Sequence, residues 1–289
     1  MFETNRPLQF FLLSCVAAVA CSLIFGAQHS WILIGCCIVI LIAGLPHGAF
    51  DIYIVANLFQ NRAFVLAIAG YLSLIAGTVM LWWVSPDIFL LAFLSYSAFH
   101  FGDSDWPTAS TIHKTAWGIT IIALPCLFAN QQVTLLFTLI LNAEPPSLIT
   151  SGFGYLAIPA ALFCSLKTTT HQPNLTTPVL LIAYALVCII GGALLAFTCY
   201  FAFLHGPHHL QRWRFKLPNS GNSGVYLLSF SVFAIILVLV VLTSQLSPND
   251  PWVLSGSSLD SSAIRYTFVA LAALTVPHMA FLYIAGKRG

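Results

Sequence analysis

Residues 199–216 read CYFAFLHGPHHLQRWRFK. A run of apolar side chains stops at His205, His208 and His209, and is followed at once by Arg212, Arg214 and Lys216. An apolar helix that ends in a cationic cluster is the pattern of a membrane span reaching the cytoplasmic interface. The stretch therefore predicts a membrane helix that carries imidazoles to the edge of the bilayer. If these imidazoles bind a metal, other spans must supply further ligands at the same depth.

The composition around this stretch places the chain in the membrane class. Hydrophobic residues make up 59% and charged residues 6%, whereas about a quarter of residues are charged in soluble domains. At about 20–25 residues per crossing plus loops, the 289 residues accommodate roughly eight to ten spans. The expected fold is all-α, a polytopic transmembrane helical bundle forming a single integral membrane domain over residues 1–289. Lys and Arg are scattered at span ends and form no patch, which excludes a nucleic-acid partner. The eight cysteines lie in or beside apolar runs without zinc-ligand spacing and read as small packing residues.

In chain order, Leu8 to Gly26 is a first, retained span, and Trp31 to about Leu58 a second that contains GLPHGAFD with His47 and Asp51. Residues 63–84 form a third. A fourth, from Ile88, ends in SYSAFHFGDSDW, where His100, Asp103, Asp105 and Trp106 meet the membrane edge. Shorter apolar runs follow at 115–129, 132–142 and 152–166. The run from Thr177 to Gln211 exceeds one crossing, and Gly191-Gly192 offers a break in it. Residues 225–243 and 264–285 complete the set, the last containing VPHMAF with His278.

The positive residues orient the bundle with both termini cytoplasmic, leaving Lys167 and Arg265 as exceptions. In that arrangement His47, His100, the His205–His209 group and His278 share the inner leaflet. Ionisable groups at such depth are costly and mark function, although a lone transmembrane histidine such as His278 also serves as an interhelical hydrogen-bonding residue. Asp51 lies four residues after His47 and Asp103 three after His100, spacings that place each carboxylate where it can hold a ligating imidazole's second N–H. His205 and His209, at i and i+4, form a chelating pair. His208 points elsewhere, and Pro207 perturbs the local helix. His29, His113 and His171 fall in predicted loops and read as solvated.

Imidazole suits zinc, copper, iron or nickel, so the histidines alone do not select the ion. Phe50, Tyr53, Tyr96, Phe99, Phe101, Tyr200, Phe201 and Phe281 crowd the same motifs, with Trp106, Phe203 and Tyr283, and with Gly44, Gly48, Gly102 and Gly206 making room among them. Together they predict a long apolar pocket for a planar, lipid-soluble substrate. No nucleophile with an adjacent base, phosphate loop or paired catalytic carboxylates is present, which favours metal-centred oxidation over hydrolysis.

In order along the chain, GLPHGAFD, SYSAFHFGDSDW, FAFLHGPHHL and VPHMA resemble the motifs of the Brp/Blh family of membrane β-carotene 15,15'-dioxygenases, over residues from about 40 to the last span. The resemblance implies a non-haem Fe(2+) held by His47, His100, His205 and His209, with His278 a further ligand or a pocket residue. It also implies that O2 cleaves the central double bond of β-carotene into two all-trans retinal. The chain departs from the family pattern at His208, where arginine is common. The remaining expectations are a multi-pass protein of the cell (inner) membrane, contact with membrane lipid, and delivery of retinal to a microbial rhodopsin. Two rivals are a membrane di-iron lipid or carotenoid hydroxylase or desaturase, suggested by the HxxHH pattern of HGPHH, and a b-type haem protein.

Overall fold

A computed structural model describes residues 6–171, 176–210, 222–245 and 259–288. Among the described residues every regular element is helical. The chain runs through α1 (Arg6–Phe25), α2 (Ser30–Ala49), the short α3 (Asp51–Leu58), α4 (Asn61–Val84), α5 (Pro86–Asp105), α6 (Thr111–Phe128) and α7 (Asn130–Leu141). It continues through α8 (Phe153–His171), α9 (Thr176–Ile190), α10 (Ala193–Tyr200), α11 (Asn222–Gln245) and α12 (Leu259–Arg288). Helices within Pro7–Phe25, Ser30–Leu58, Asn61–Val84, Thr111–Phe128, Leu148–Leu166, Gly224–Leu242 and Leu259–Ala285 are long and apolar enough to cross a membrane. The 20-residue α5 is as long, but ends in the polar sequence FGDSD. Arg212, Arg214 and Lys216, which anchor the sequence-based orientation, lie outside the described residues.

The outward surface is apolar: Val65 and Leu66 on α4 and Leu227 and Phe230 on α11 are all exposed. Lipid is as apolar as these side chains, so helix association in it depends on close packing and satisfied polar groups. The crossing of α5 and α6 illustrates the first. A Cβ on Gly102 would lie 1.9 Å from the Lys114 carbonyl oxygen, and one on Gly118 would lie 1.7 Å from that of Ala98. The two glycines let the backbones touch. Gly102 thus makes room for a neighbouring helix, not for a ligand.

Polar satisfaction explains several residues that were anomalous in the sequence. The long apolar run breaks at the glycine pair: Gly192 has φ +86°, and the Ala193 N–H that begins α10 donates to Gln132 Oε1 at 3.0 Å. Arg265, an exception to the charge rule, is buried. Its Nε donates to the Leu139 carbonyl at 2.6 Å, while Trp82 Nε1 donates to that of Ile140 at 2.7 Å. Both residues cap the C-terminal end of α7, whose last carbonyls have no partner within the helix, and the guanidinium also suits the negative end of the helix dipole.

Buried among these elements is α10, packed against α1, α2 and α9. Its Ala196 and Tyr200 are fully buried, as is Leu204 in the following turn to within 1%. That turn, Phe201–His205, is a π-helix, and the Gly206 N–H reaches back five residues to the Phe201 carbonyl. Pro207 accounts for it. Proline offers no N–H to the carbonyl four residues earlier and its ring crowds that carbonyl, so the preceding turn widens. Helix resumes over residues 206–210. Such π-turns are frequent at functional sites, and this one delivers His205 and His209 to the bundle interior.

Candidate metal centre

Along α5, Ser97, His100, Phe101, Ser104 and Asp105 follow the spacing i, i+3, i+4, i+7, i+8, which is one helical face. Along α12, Leu271, Leu274, Thr275, His278 and Met279 follow the same spacing. These two faces and the π-turn after α10 meet in one place. There His100, His205 and His209, all buried, each offer a ring nitrogen, and the three nitrogens lie within 4.8 Å of one another. His278 joins them, its Nε2 3.1 Å from His209 Nε2 and its ring centroid 5.6 Å from that of His100.

Each imidazole has its Nδ1 turned to a protein group. His205 Nδ1 meets Asp105 Oδ1 at 2.9 Å, and His278 Nδ1 meets Asp51 Oδ1 at 2.6 Å. His209 Nδ1 meets Ser104 Oγ at 2.9 Å, and His100 Nδ1 faces Met279 Sδ. A carboxylate only accepts, so His205 and His278 donate from Nδ1 and keep their lone pairs at Nε2. The carboxylates are themselves held. Asp105 Oδ2 accepts from Trp117 Nε1 at 2.9 Å and from the Tyr200 hydroxyl, while Asp51 Oδ2 accepts from Tyr71 at 2.8 Å. This carboxylate–imidazole arrangement is how proteins fix the tautomer and orientation of metal-bound histidine.

The donor set fits a metal ion. Several neutral imidazoles with converging nitrogens repel one another unless a cation or a proton sits between them. Imidazole nitrogens of this kind are ligands for first-row metals.

Of the residues expected from sequence, His100, His205 and His209 come together with His278. His47 lies on α2 one turn before Phe50, and its side chain falls outside the described residues. Asp51, expected to orient a ligating imidazole, opens α3 just after Phe50, and its oxygens meet His278 and Tyr71. One assignment needs correction. Asp103 lies off the inward face of α5 and pairs with Lys114 Nζ at 2.6 Å, with a side chain 46% exposed. Asp105 holds the imidazole instead, and the helical spacing from His100 and Ser104 is the sequence signal that identifies it. His113, read as solvated, is buried at the start of α6 with its ring 4.5 Å from that of Trp106. His29 is exposed in the α1–α2 connection as expected, and the side chain of His171 lies outside the described residues.

A family profile described as Beta-carotene 15,15'-dioxygenase matches residues 38–284, from within α2 to nearly the end of α12. The chain belongs to the β-carotene 15,15'-dioxygenase family. A curated Beta-carotene 15,15'-dioxygenase from Uncultured marine bacterium 66A03 is 28% identical over 255 residues, 83% of this chain and 89% of the relative. No solved structure matches the chain.

In this member of the β-carotene 15,15'-dioxygenase family His100, His205 and His278 open onto a largely apolar cleft. Its empty space, including what is open to the surroundings, is about 590 Å³. Phe101 and Phe201, both expected from sequence, line it. Phe93 and Phe197, which sequence reading missed, line it too; neither lies in a histidine motif. The other expected pocket residues are elsewhere. Tyr200 is fully buried and spends its hydroxyl on Asp105. Phe281 packs against Phe59 and Tyr71, and Phe50 against Tyr53. The Tyr96 hydroxyl donates to the Val276 carbonyl. Phe99 is 47% exposed on the outer face of α5.

Proposed function

We propose that this protein is a non-haem iron oxygenase of the cell (inner) membrane, with cytoplasmic termini, that cleaves the central 15,15' double bond of β-carotene with O2 to give two all-trans retinal. The observation that carries this reading is the placement of His100, His205 and His278 in the wall of a largely apolar cleft, with His209 converging on them. Membership of the family adds the substrate class, and the relative named Beta-carotene 15,15'-dioxygenase adds the bond.

His100, His205 and His209 would hold the iron, with His278 and His47 as the further candidates. When bound, ferrous iron supplies the activation of O2. The remaining work falls to the chain itself. Asp105 and Asp51 keep His205 and His278 in the tautomer that presents Nε2, and their own positions are fixed by Tyr200, Trp117 and Tyr71. Neither carboxylate is placed as an acid, because both are occupied by donors.

Phe93, Phe101, Phe197 and Phe201 offer flat apolar surfaces that hold a polyene and exclude water from the reacting bond. The hydrocarbon has no polar handle, so the position of its ends in the cavity selects the bond. Overall, one C=C bond breaks and two C=O bonds form from one O2, with no other reductant required. Retinal leaves into lipid or is handed to a microbial rhodopsin.

Metal exchange tests this reading. Protein stripped with a chelator in detergent should form no retinal, regain the activity with ferrous iron, and stay inactive with zinc. Equal activity with zinc, or undiminished activity after stripping, would remove the iron assignment.

A further inference from the structure

Three apolar hollows lie end to end through the bundle. The histidine cleft shares Phe93, Ser97, Phe101 and Phe197 with a hollow walled by α5, α6, α7, α9, α10 and α12. At its other side it shares Gly48 and Leu274 with a hollow walled by α2, α3, α4, α11 and α12. These two outer hollows share no lining residue with each other. The cleft with His100, His205 and His278 is therefore the link between them.

The two arms differ in what their walls face. No residue lining the arm beside α7 is exposed, and its far wall is formed by the buried side chains of Cys126, Val133, Ile140 and Tyr184. In the arm beside α4, Ile52 is 41%, Leu72 58% and Leu228 38% exposed. Its mouth opens between α4 and α11 on the apolar outer surface, where only lipid is a matching solvent. Along both arms the walls are mostly apolar; Ser97, Ser229, the Tyr71 and Tyr184 hydroxyls and the Cys126 thiol are the polar side-chain groups, with Tyr71 engaged with Asp51 and Tyr184 with the Ile121 carbonyl. A long hydrocarbon is the occupant that matches two apolar arms with a metal-binding cluster between them.

We propose that the carotenoid enters end-first from the lipid through the mouth between α4 and α11, and that the deep arm beside α7 is the ruler that sets which double bond stops at the histidines. This rests on the cleavage reading above and extends it to the mode of binding. The leading ring travels past the histidines until it meets the far wall, which leaves the centre of a symmetric C40 polyene at the cluster. Shortening the deep arm halts the ring earlier and presents a bond nearer the leading end. Cleavage by the same O2 reaction then gives two carbonyl products of unequal length, one shorter and one longer than retinal.

The test is product analysis by chromatography and mass spectrometry with iron-loaded protein and β-carotene. Val133→Phe and Cys126→Phe, each filling the deep arm, should yield an unequal product pair as at least about a tenth of the total. Leu228→Trp at the mouth should lower the rate several-fold and leave retinal as the product. Each variant is compared at matched iron content and melting temperature, with Val133→Leu and Cys126→Leu taking the place of any phenylalanine variant that does not fold. The proposal is overturned if folded deep-arm variants give retinal alone at any rate, as expected if a lipid acyl chain is what fills that arm. It is equally overturned if the mouth variant, and not the deep-arm variants, changes product length. Wild-type protein that makes no retinal would instead sink the cleavage reading itself.

Discussion

The Asp105 carboxylate accepts from His205, Tyr200 and Trp117, and so leaves His205 one tautomer. Asp105→Asn places a donating amide among those donors. The expected result is a fall of about 10–100-fold in iron affinity or retinal-forming rate, the usual effect of losing a residue that orients a metal ligand, with the protein still folded. Asp103→Asn, two positions away, removes only a partly exposed pair with Lys114, worth at most about 1 kcal/mol. Its iron content should match wild type. A metal analysis of the two variants side by side checks both, and a larger loss with Asp103→Asn would reverse the assignment. His205→Ala and His209→Ala should each lose at least about 10-fold in iron affinity, read by titration with ferrous iron; wild-type iron content in either would remove it from the ligand set. The grouping of His100, His205, His209 and His278 was legible, because several imidazoles at matched depth in apolar runs are costly to keep there unless they act together. Asp51 was legible as an orienting carboxylate, but its pairing with His278, and Asp105 altogether, were not, since these aspartates reach histidines 227 and 100 residues further along the chain. Local spacing pointed to Asp103 instead, and only the helical face of α5 separates the two.

At the scale of the elements, α5 reaches the site because its backbone rests on α6 at Gly102 and Gly118. Gly118→Leu forces the crossing apart and should cost about 1–3 kcal/mol or more, seen as a lower melting temperature in detergent. Because the same crossing positions His100 and Asp105, iron binding should fall with it. An unchanged melting temperature would mean that the backbones are not in contact. The helices were legible from apolar runs, and the break in the run from Thr177 to Gln211 was marked by its glycine pair. Gly192 is there with its positive φ, next to the side chain of Gln132 that caps the following helix. The π-turn before Pro207 was not legible beyond the expectation of irregularity. Nor was the junction of α2 and α3 at Phe50, where backbone dihedrals stay helical and the Phe50 carbonyl accepts from both Tyr53 and Ile54. Both features decide which way a histidine or an aspartate points, and both depend on neighbours that a local spacing rule does not contain.

Among the described residues the molecule is an apolar bundle with a metal-ready histidine cluster inside it, and apolar arms adjoin that cluster toward the outer surface on one side and the bundle interior on the other. Composition was enough to predict an apolar helical bundle, and the four motifs in order were enough to predict the family. The pocket was the least legible part, because Phe93 and Phe197 are contributed by ordinary-looking apolar stretches and only packing brings them to the histidines. This architecture should cleave β-carotene at its middle. Expression in β-carotene-producing cells decides that, with pigments extracted and both retinal and C40 products quantified. Bleaching with accumulation of retinal is expected, and both should be lost in His205→Ala. Intact β-carotene beside abundant folded protein, or hydroxylated C40 products in place of retinal, would contradict it.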